Sequence, residues 1–441
     1  MQTSAVKMKD DGQKIDGLGL LSAIPEDWLA PTLEIARTMA AAGQRVWIVG
    51  GGVRDLILGR PIKDIDLVSA ALPEQVEGLF ERTVPVGKAF GIVVVVLGGK
   101  EIEVATFRKE RGYSDSRRPD EVEYADSADV DAGRRDFTCN ALYLDPLNGE
   151  IVDPSGGLAD LMARELRAVG DPAARFREDG LRLLRAGRFL ASLTLQPAPG
   201  LLEAMAAEVD SIGGVSPERV LDETAKILRG PDPARAIRVL SKTGVLSRCL
   251  PGWTGRSVDG AASADFLARC LPSASRGAVS PVALGLAVLL DPQRDGDAET
   301  TTQRLEELKT SRDLRTSVLS LLRVRGELLA LMGEATPTAA VAVGEWVALA
   351  RDPAFEAGVT LTQGADAEVA PDLAATVEVL RALSASAPLE PVELAAKDAM
   401  ALGIRPGPEL GDLLRRAKLA SLGGAFSDLE GALAWLAAEI R

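Results

Sequence analysis

The segment VGGGVRDLILGRPIKDIDLV, residues 49–68, carries two carboxylates, Asp64 and Asp66, two positions apart in a β-like run. Alternate residues of a strand share a face, so both acids point one way while Ile65 and Leu67 turn to a core. Such a pair suits a hard divalent cation, because Mg2+ is held by one or two carboxylates together with phosphate oxygens. Just upstream, Gly50 and Gly51 end an apolar run. Without a Cβ, they let backbone N–H groups come close to a triphosphate. Arg54 can add a charge-assisted phosphate contact. Glu103, in the alternating run EIEVATF (101–107), is the best-placed third acid if its strand lies beside the first two. Neither a dinucleotide fingerprint nor a P-loop is present: Asp55 stands where GxGxxG needs glycine, and no GK[ST] occurs.

The rest of the composition narrows the chemistry. The 441 residues contain no histidine, which excludes Ser-His-Asp catalysis, HExxH metalloprotease sites and His-Asp hydrolase domains. Cys139, Cys249 and Cys270 are too scattered for a zinc site or a disulfide framework and read as small apolar residues of a cytoplasmic protein. No apolar run reaches the roughly 18 to 20 residues that span a bilayer. The formal charge of −14 opposes indiscriminate nucleic-acid binding, so any contact with RNA must come from local patches.

The elements that position these groups follow from periodicity. A polar N-terminus (1–25), read as mobile, leads to a helix-like stretch from Trp28 to Ala42 and then to strand-like runs at 46–49, 65–68, 91–96 and 102–107, separated by glycine turns. The fold class expected is α+β and multidomain, with an α/β head (26–155). From about 158 the apolar spacing turns helical, and Ser216 before Pro217 marks a helix start. A helical neck (156–252), a Gly/Ser/Ala-rich linker or irregular loop (253–280) and a helical body and tail (281–441) complete the chain.

A glycine pair, about a dozen residues and then D-x-D is the signature of the nucleotidyltransferase superfamily that includes polymerase β. Together with RRDFTCNALYLD (134–145), GDPAARFREDGLRLLRAGRF (170–189) and SPERVLDETAKIL (216–228), the chain resembles the bacterial CCA-adding enzymes and poly(A) polymerases, the second class of tRNA nucleotidyltransferases. A fainter similarity covers KDAMALGIRPGPELGDLL (397–414), where Gly403, Pro406 and Gly407 precede a helix beginning near Glu409. The resemblance implies a polymerase β-like head and an all-helical neck, body and tail. It implies two Mg2+ ions on Asp64 and Asp66, CTP and ATP as substrates, and the tRNA 3′ end as partner, with no membrane and no obligate protein partner. Asp136 would meet the ribose hydroxyl, with Arg134 and Arg135 on the nucleotide. Glu178, Asp179 and Arg182 would select the base, with Arg185 also at the nucleotide.

Helical geometry supports the last assignment, since positions i, i+1 and i+4 let Glu178, Asp179 and Arg182 share a face. Adenine and cytosine present an amino donor beside a ring-nitrogen acceptor, whereas guanine and uracil present a carbonyl beside an N–H. A carboxylate next to a guanidinium therefore fits the first pair and opposes the second. Gly180 and Gly187 stand where the family has Ala and Val. Each costs about 0.5 to 1 kcal/mol of helix propensity, which points to a mobile template helix. Residues 161–190 hold seven arginines against four acids, a stripe that would give RNA contacts through Arg164, Arg167, Arg175, Arg177 and Arg188.

Three activities stay open at this level: addition of CCA, addition of A alone, and poly(A) synthesis. A catalytically dead tRNA-binding protein is disfavoured because both metal-binding acids are present. The segment KERGYSDSRRPDEV (109–122) resembles the flexible loop that CC-adding relatives lack. VGKAFGIVVVV (86–96) stands where poly(A) polymerases carry a basic run.

Overall fold

The computed structural model describes residues 15–84, 91–111, 121–250, 264–265, 267–271, 280–291, 298–365 and 370–440. The chain divides into two compact units, Met1–Pro251 and Gly252–Arg441.

The first unit is built on β1 (Val46–Val49), β2 (Asp66–Ser69), β3 (Thr83–Val84), β4 (Ile92–Leu97) and β5 (Lys100–Thr106), joined by β8 (Tyr143–Leu144) and β9 (Ile151–Val152) in a sheet of order β3-β4-β5-β2-β1-β8-β9. β6 (Arg108–Arg111) and β7 (Glu121–Tyr124) form a separate antiparallel ribbon at the two ends of the 109–122 segment. Residues 112–120 of that segment, and 85–90 of the VGKAFG run, lie outside the described residues.

Register sets where the acids fall. β1 runs antiparallel to β2 with Val49 opposite Asp66, and β2 runs parallel to β5 with Asp66 opposite Glu103. By period two, Asp66 and Glu103 share a face with Trp47, Val49, Val68 and Ala105. That face is covered by Phe107, Tyr143 and the small residues Ala128 and Ala132 of α5 (Ala128–Ala132). Ile48, Leu67, Ile102 and Val104, all buried, alternate to the other side, and α2 (Glu26–Ala41) and α4 (Pro73–Leu79) pack on the sheet.

Four expectations need correction. Asp64 is not on a strand: the ladder ends at the Val49–Asp66 pair because the chain turns at Gly50, whose φ of +71° favours glycine. The N-terminal stretch contains α1 (Gly17–Ser22), which buries Leu20 and Leu21, and a Cβ on Gly17 would sit 1.9 Å from the Gly149 carbonyl oxygen. The neck is not wholly helical, since β10 (Glu165–Leu166) pairs in parallel with β11 (Gln196–Pro197). The 253–280 stretch includes helical turns at 264–265 and 267–271 that bury Ala264, Leu267 and Cys270.

The neck helices are α6 (Gly157–Met162), α7 (Pro172–Glu178), α8 (Leu181–Ser192), α9 (Leu201–Ala207), α10 (Pro217–Leu228), α11 (Pro233–Lys242) and α12 (Val245–Cys249). The described part of the second unit is helical. Its closest helix pair, Ala340–Ala350 with Pro408–Leu422, meets at two glycines: a Cβ on Gly344 would lie 1.8 Å from the Leu419 oxygen, and one on Gly423 1.9 Å from the Ala340 oxygen. The glycine-proline turn expected before Glu409 leads into the helix that begins at Pro408. Among the described residues, no helix is long and apolar enough to cross a membrane.

Candidate functional site

Gly50 caps α3 (Gly51–Ile57), and the carboxylates gather beside this strand-to-helix turn. Asp64 and Asp66 are exposed, and Glu103, the register partner of Asp66, is exposed beside them. Although Asp66 is exposed as a residue, the protein packed around its carboxyl, and then the charges of Asp64 and Glu103, raise it to about 6, with Arg135 acting in the opposite sense. Among the described residues no three acids close into a metal cage. What the site offers is two carboxylates close to a glycine turn, which fits a cation that completes its shell with phosphate oxygens. The mutual repulsion at Asp66 is relieved by such a cation.

Arg54 stands at the turn, its Nη2 3.5 Å from where a Cβ on Gly51 would lie. It is buried, donates through Nη1 to Asn140 Oδ1 (2.6 Å) and through Nε to Asp55 (3.1 Å), and its guanidinium lies 5.2 Å from the Phe189 ring centroid. It joins α3 to the neck.

The two adjacent arginines are held by one acid. Asp131, fully buried on α5, accepts from Arg134 Nε (2.8 Å), from Arg135 Nε and Nη2 (3.0 and 2.8 Å) and from the Tyr143 hydroxyl (2.9 Å). Burial raises the Asp131 pKa, but Arg135 and Arg134 outweigh it and hold the carboxyl below the usual range. Arg135 Nη1 points toward the turn, since a Cβ on Gly50 would lie 3.6 Å from it. Asp136 is buried: Oδ1 accepts from Phe137 N–H (2.8 Å) and Asn140 Nδ2 (3.0 Å), and Oδ2 from Arg185 Nε (2.7 Å) and Nη2 (2.6 Å). Burial opposes its charge, yet Arg185 and these donors lower it to about 2. All four acceptor positions of this carboxylate are therefore in use.

In the neck, the single helix expected across Glu178, Asp179 and Arg182 is broken. α7 ends at Glu178, Asp179 is extended (φ −146°, ψ 105°), and α8 starts at Leu181. Gly180, which follows the break, is itself helical (φ −59°, ψ −21°), and a Cβ there would meet the Ser211 carbonyl oxygen at 2.2 Å, so the chain must be bare there. Gly187 likewise lies against Leu240 of α11, with a virtual Cβ 2.7 Å from that side chain. Both glycines are close-packing points, which overturns the reading of a mobile template helix.

Glu178 and Arg182 nevertheless pair, while the Asp179 carboxylate takes other partners. Arg182, buried, donates through Nη1 to Glu178 Oε2 (2.7 Å) and through Nη2 to the Arg134 carbonyl (2.8 Å). Asp179 Oδ1 accepts from Leu181 N–H (3.0 Å) and Oδ2 from Arg219 Nη2 (2.8 Å).

The basic stripe does not form one free surface. Arg175 pairs with Glu178, Arg177 with Glu208, Arg188 with the buried Glu223, and Arg167 with Asp160 and Glu165. Arg188 and Arg185 also flank the Phe189 ring at 4.2 and 5.3 Å. Arg164 is exposed. Burial pushes the Cys139 and Cys249 thiols up to about 12, so neither is a nucleophile.

Sequence reasoning missed Asp131, Asn140, Tyr143 and Arg219. Asp131 stands three and four positions before the arginines it clamps, a spacing that carried the signal. Nothing local marked Arg219, whose partner is 40 positions away.

Residues 46–167 match the family described as the poly A polymerase head domain, and residues 194–255 the one described as "Probable RNA and SrmB- binding site of polymerase A". The chain is similar to the CCA-adding enzyme of Geobacillus stearothermophilus, 43% identical over 224 residues, 51% of this chain and 55% of that protein. That match spans about half the length of the relative. The CCA-adding enzymes of Levilactobacillus brevis (32% identity, 89% of this chain and 93% of that one) and Streptococcus suis (32%, 94% and 97%) align over nearly their whole lengths. Among solved structures, the Bacillus stearothermophilus CCA-adding enzyme in complex with CTP superposes with a TM-score of 0.73 at 29% identity, covering 94% of this chain and 98% of that one. The Thermotoga maritima CCA-adding enzyme complexed with tRNA shares the fold, with a TM-score of 0.70 at 22% identity, covering 97% and 99%.

Proposed function

The chain belongs to the CCA-adding enzymes, and from that membership we propose that it adds C, C and A to the 3′ end of tRNA from CTP and ATP, in the cytoplasm. The RNA 3′ oxygen forms a bond to the α-phosphorus, the bond to the leaving pyrophosphate breaks, and the hydroxyl proton is released. One observation carries the reading: Arg182, at the base-selecting position, is anchored on the backbone carbonyl of Arg134, whose neighbour Arg135 faces Gly50 and Asp66. A base held at Arg182 and a triphosphate at the Gly50 turn are thereby brought into one site.

Within it, Asp131 holds Arg134 and Arg135 in place, and Arg135 supplies positive charge to the triphosphate beside the bare Gly50–Gly51 backbone. Asp64 and Asp66 would hold Mg2+, with Glu103 next to Asp66. When bound, the ion neutralises phosphate charge and acidifies the attacking hydroxyl. Asp179 offers an acceptor to the amino group of C or A while Arg182 donates to the adjacent ring nitrogen, and Glu178 orients Arg182. The activity is tested by offering each labelled nucleotide alone to tRNA transcripts ending at the discriminator base, at C and at CC. C is expected on the first two and A on the third; A on the third with no C on either of the others would reduce the function to A addition.

Because Asp66 titrates near about 6, Mg2+ must displace a proton below that pH. Its affinity is expected to be steady above this value and to fall about tenfold per pH unit below it, with proton release on binding. Calorimetric titration with Mg2+ in buffers on either side of that pH checks this, and equal affinities would contradict it.

The full set of bonds on Asp136 means that a ribose hydroxyl must replace one of them. Of the two neutral donors, Phe137 N–H (2.8 Å) and the Asn140 amide (3.0 Å), the Asn140 side chain is the longer contact and the one free to turn away. Asp136→Asn is expected to cut the preference for CTP over dCTP by about tenfold, the scale of one charge-assisted bond. An unchanged preference, measured by competition, would move sugar selection elsewhere.

A further inference from the structure

The run SPERVLDETAKIL (216–228) folds as α10, packed along α8, and its residues have so far been given contacts but no role in the reaction. In its first turn, Arg219 reaches the chain break between α7 and α8 and donates through Nη2 to Asp179 Oδ2 at 2.8 Å. One turn further, Glu223 takes Arg188 of α8. Asp179 is thus gripped from two sides, with Leu181 N–H on Oδ1 and Arg219 on Oδ2. Its extended backbone gives it no helical neighbours to restrain the side chain. Arg219 Nη1 is buried and has no hydrogen-bond partner among the described residues. A buried guanidinium nitrogen of this kind beside the base-reading residue is a donor open to a ligand oxygen.

We propose that Arg219 is a specificity-determining residue of this enzyme: it fixes the direction of the Asp179 carboxylate, so that uracil and guanine meet a carboxylate that cannot turn away from their carbonyl oxygens. The inference rests on Asp179 as a reader of the base. A carboxylate released from Arg219 rotates, and rotation removes the electrostatic penalty against U and G while weakening the contact with the amino group of C and A. Selection by a protein template then requires a rigid acceptor, and α10 supplies the rigidity. The Nη1 donor is left for an oxygen of the bound nucleotide.

The test compares wild type, Asp179→Ala, Arg219→Ala, Arg219→Lys and the Asp179→Ala/Arg219→Ala double variant. The readout is the ratio of kcat/KM for CTP to UTP on tRNA ending at the discriminator base, and for ATP to GTP on tRNA ending in CC. Arg219→Ala is expected to lower both ratios by about tenfold, the scale of one hydrogen bond between charged groups. Arg219→Lys, which keeps a charge on Asp179, should recover most of the loss, and the double variant should be no less selective than Asp179→Ala alone. A uniform fall for all four nucleotides, with the ratios kept, would give Arg219 a merely structural role and overturn the proposal. So would a double variant whose loss is the product of the two single losses. If Asp179→Ala itself keeps both ratios, the base-reading assignment fails and takes this proposal with it. If Asp179→Ala relaxes selection and Arg219→Ala does not, only the role of Arg219 is lost.

Discussion

Asp64→Ala and Asp66→Ala are each expected to abolish incorporation of both CTP and ATP, lowering kcat by about three orders of magnitude or more, since metal charge stabilisation is worth several kcal/mol. Affinity for tRNA should be unchanged or slightly higher, because two anions that repel phosphates have been removed. Thermal stability provides an internal control. The raised pKa of Asp66 means that its ionised form is disfavoured in the folded protein, by surrounding packing and by Asp64 and Glu103. The sign follows: stability linked to this group is present at low pH and lost as pH rises through about 6. Above that pH, replacing Asp66 by Ala should therefore leave the melting temperature equal or raised. Loss of activity together with a large fall in melting temperature would recast Asp66 as a structural residue, and retained turnover in either variant would remove the acids from the reaction.

Asp179→Ala should relax base choice without disturbing the acids. It leaves Arg182 as a donor with no acceptor beside it, so the penalty against the carbonyls of UTP and GTP falls, and discrimination drops by roughly 1 to 3 kcal/mol, the scale of a bidentate pair. Glu178→Ala should do less. Arg182 keeps two further acceptors, the carbonyls of Arg134 (2.8 Å) and Arg175 (3.1 Å), so its guanidinium stays oriented when Glu178 is gone. Measuring kcat/KM for all four nucleotides on tRNA ending in C and in CC separates these outcomes. An equal fall for every nucleotide, with the preference for C and A intact, would mean that the base is read elsewhere.

The strands and the pairing of Asp66 with Glu103, though not the place of Asp64, were legible because period-two alternation and turn glycines are local signals: β1, β4 and β5 fall within two residues of the expected runs, and Glu103 lands opposite Asp66. The helix break at Asp179 was not legible. The 3.6-residue pattern runs on through PAARFREDGLRLLR, while Asp179 takes an extended backbone and its carboxylate accepts from Leu181 N–H and from Arg219, 40 positions away. The arginine stripe misled for a related reason. Counting charges within residues 161–190 leaves out Asp136, Asp160, Glu208 and Glu223, which reach in from other elements and pair with Arg185, Arg167, Arg177 and Arg188. Arg54 was placed by its position after the glycines, and its Nη2 does stand at that turn, but its further partners, Asn140 and the Phe189 ring, come from the tertiary fold. Pairings over long sequence separations decide which charges remain free for substrate, and those are the ones a linear reading cannot see.

The most direct measurement is the sequence of the 3′ ends produced when the purified protein acts on a tRNA transcript ending at the discriminator base, with CTP, ATP and Mg2+ supplied together. The account predicts that the ends are CCA and grow no further. Unextended transcripts that accept only a single A once CC is provided, or long runs of A, would contradict it.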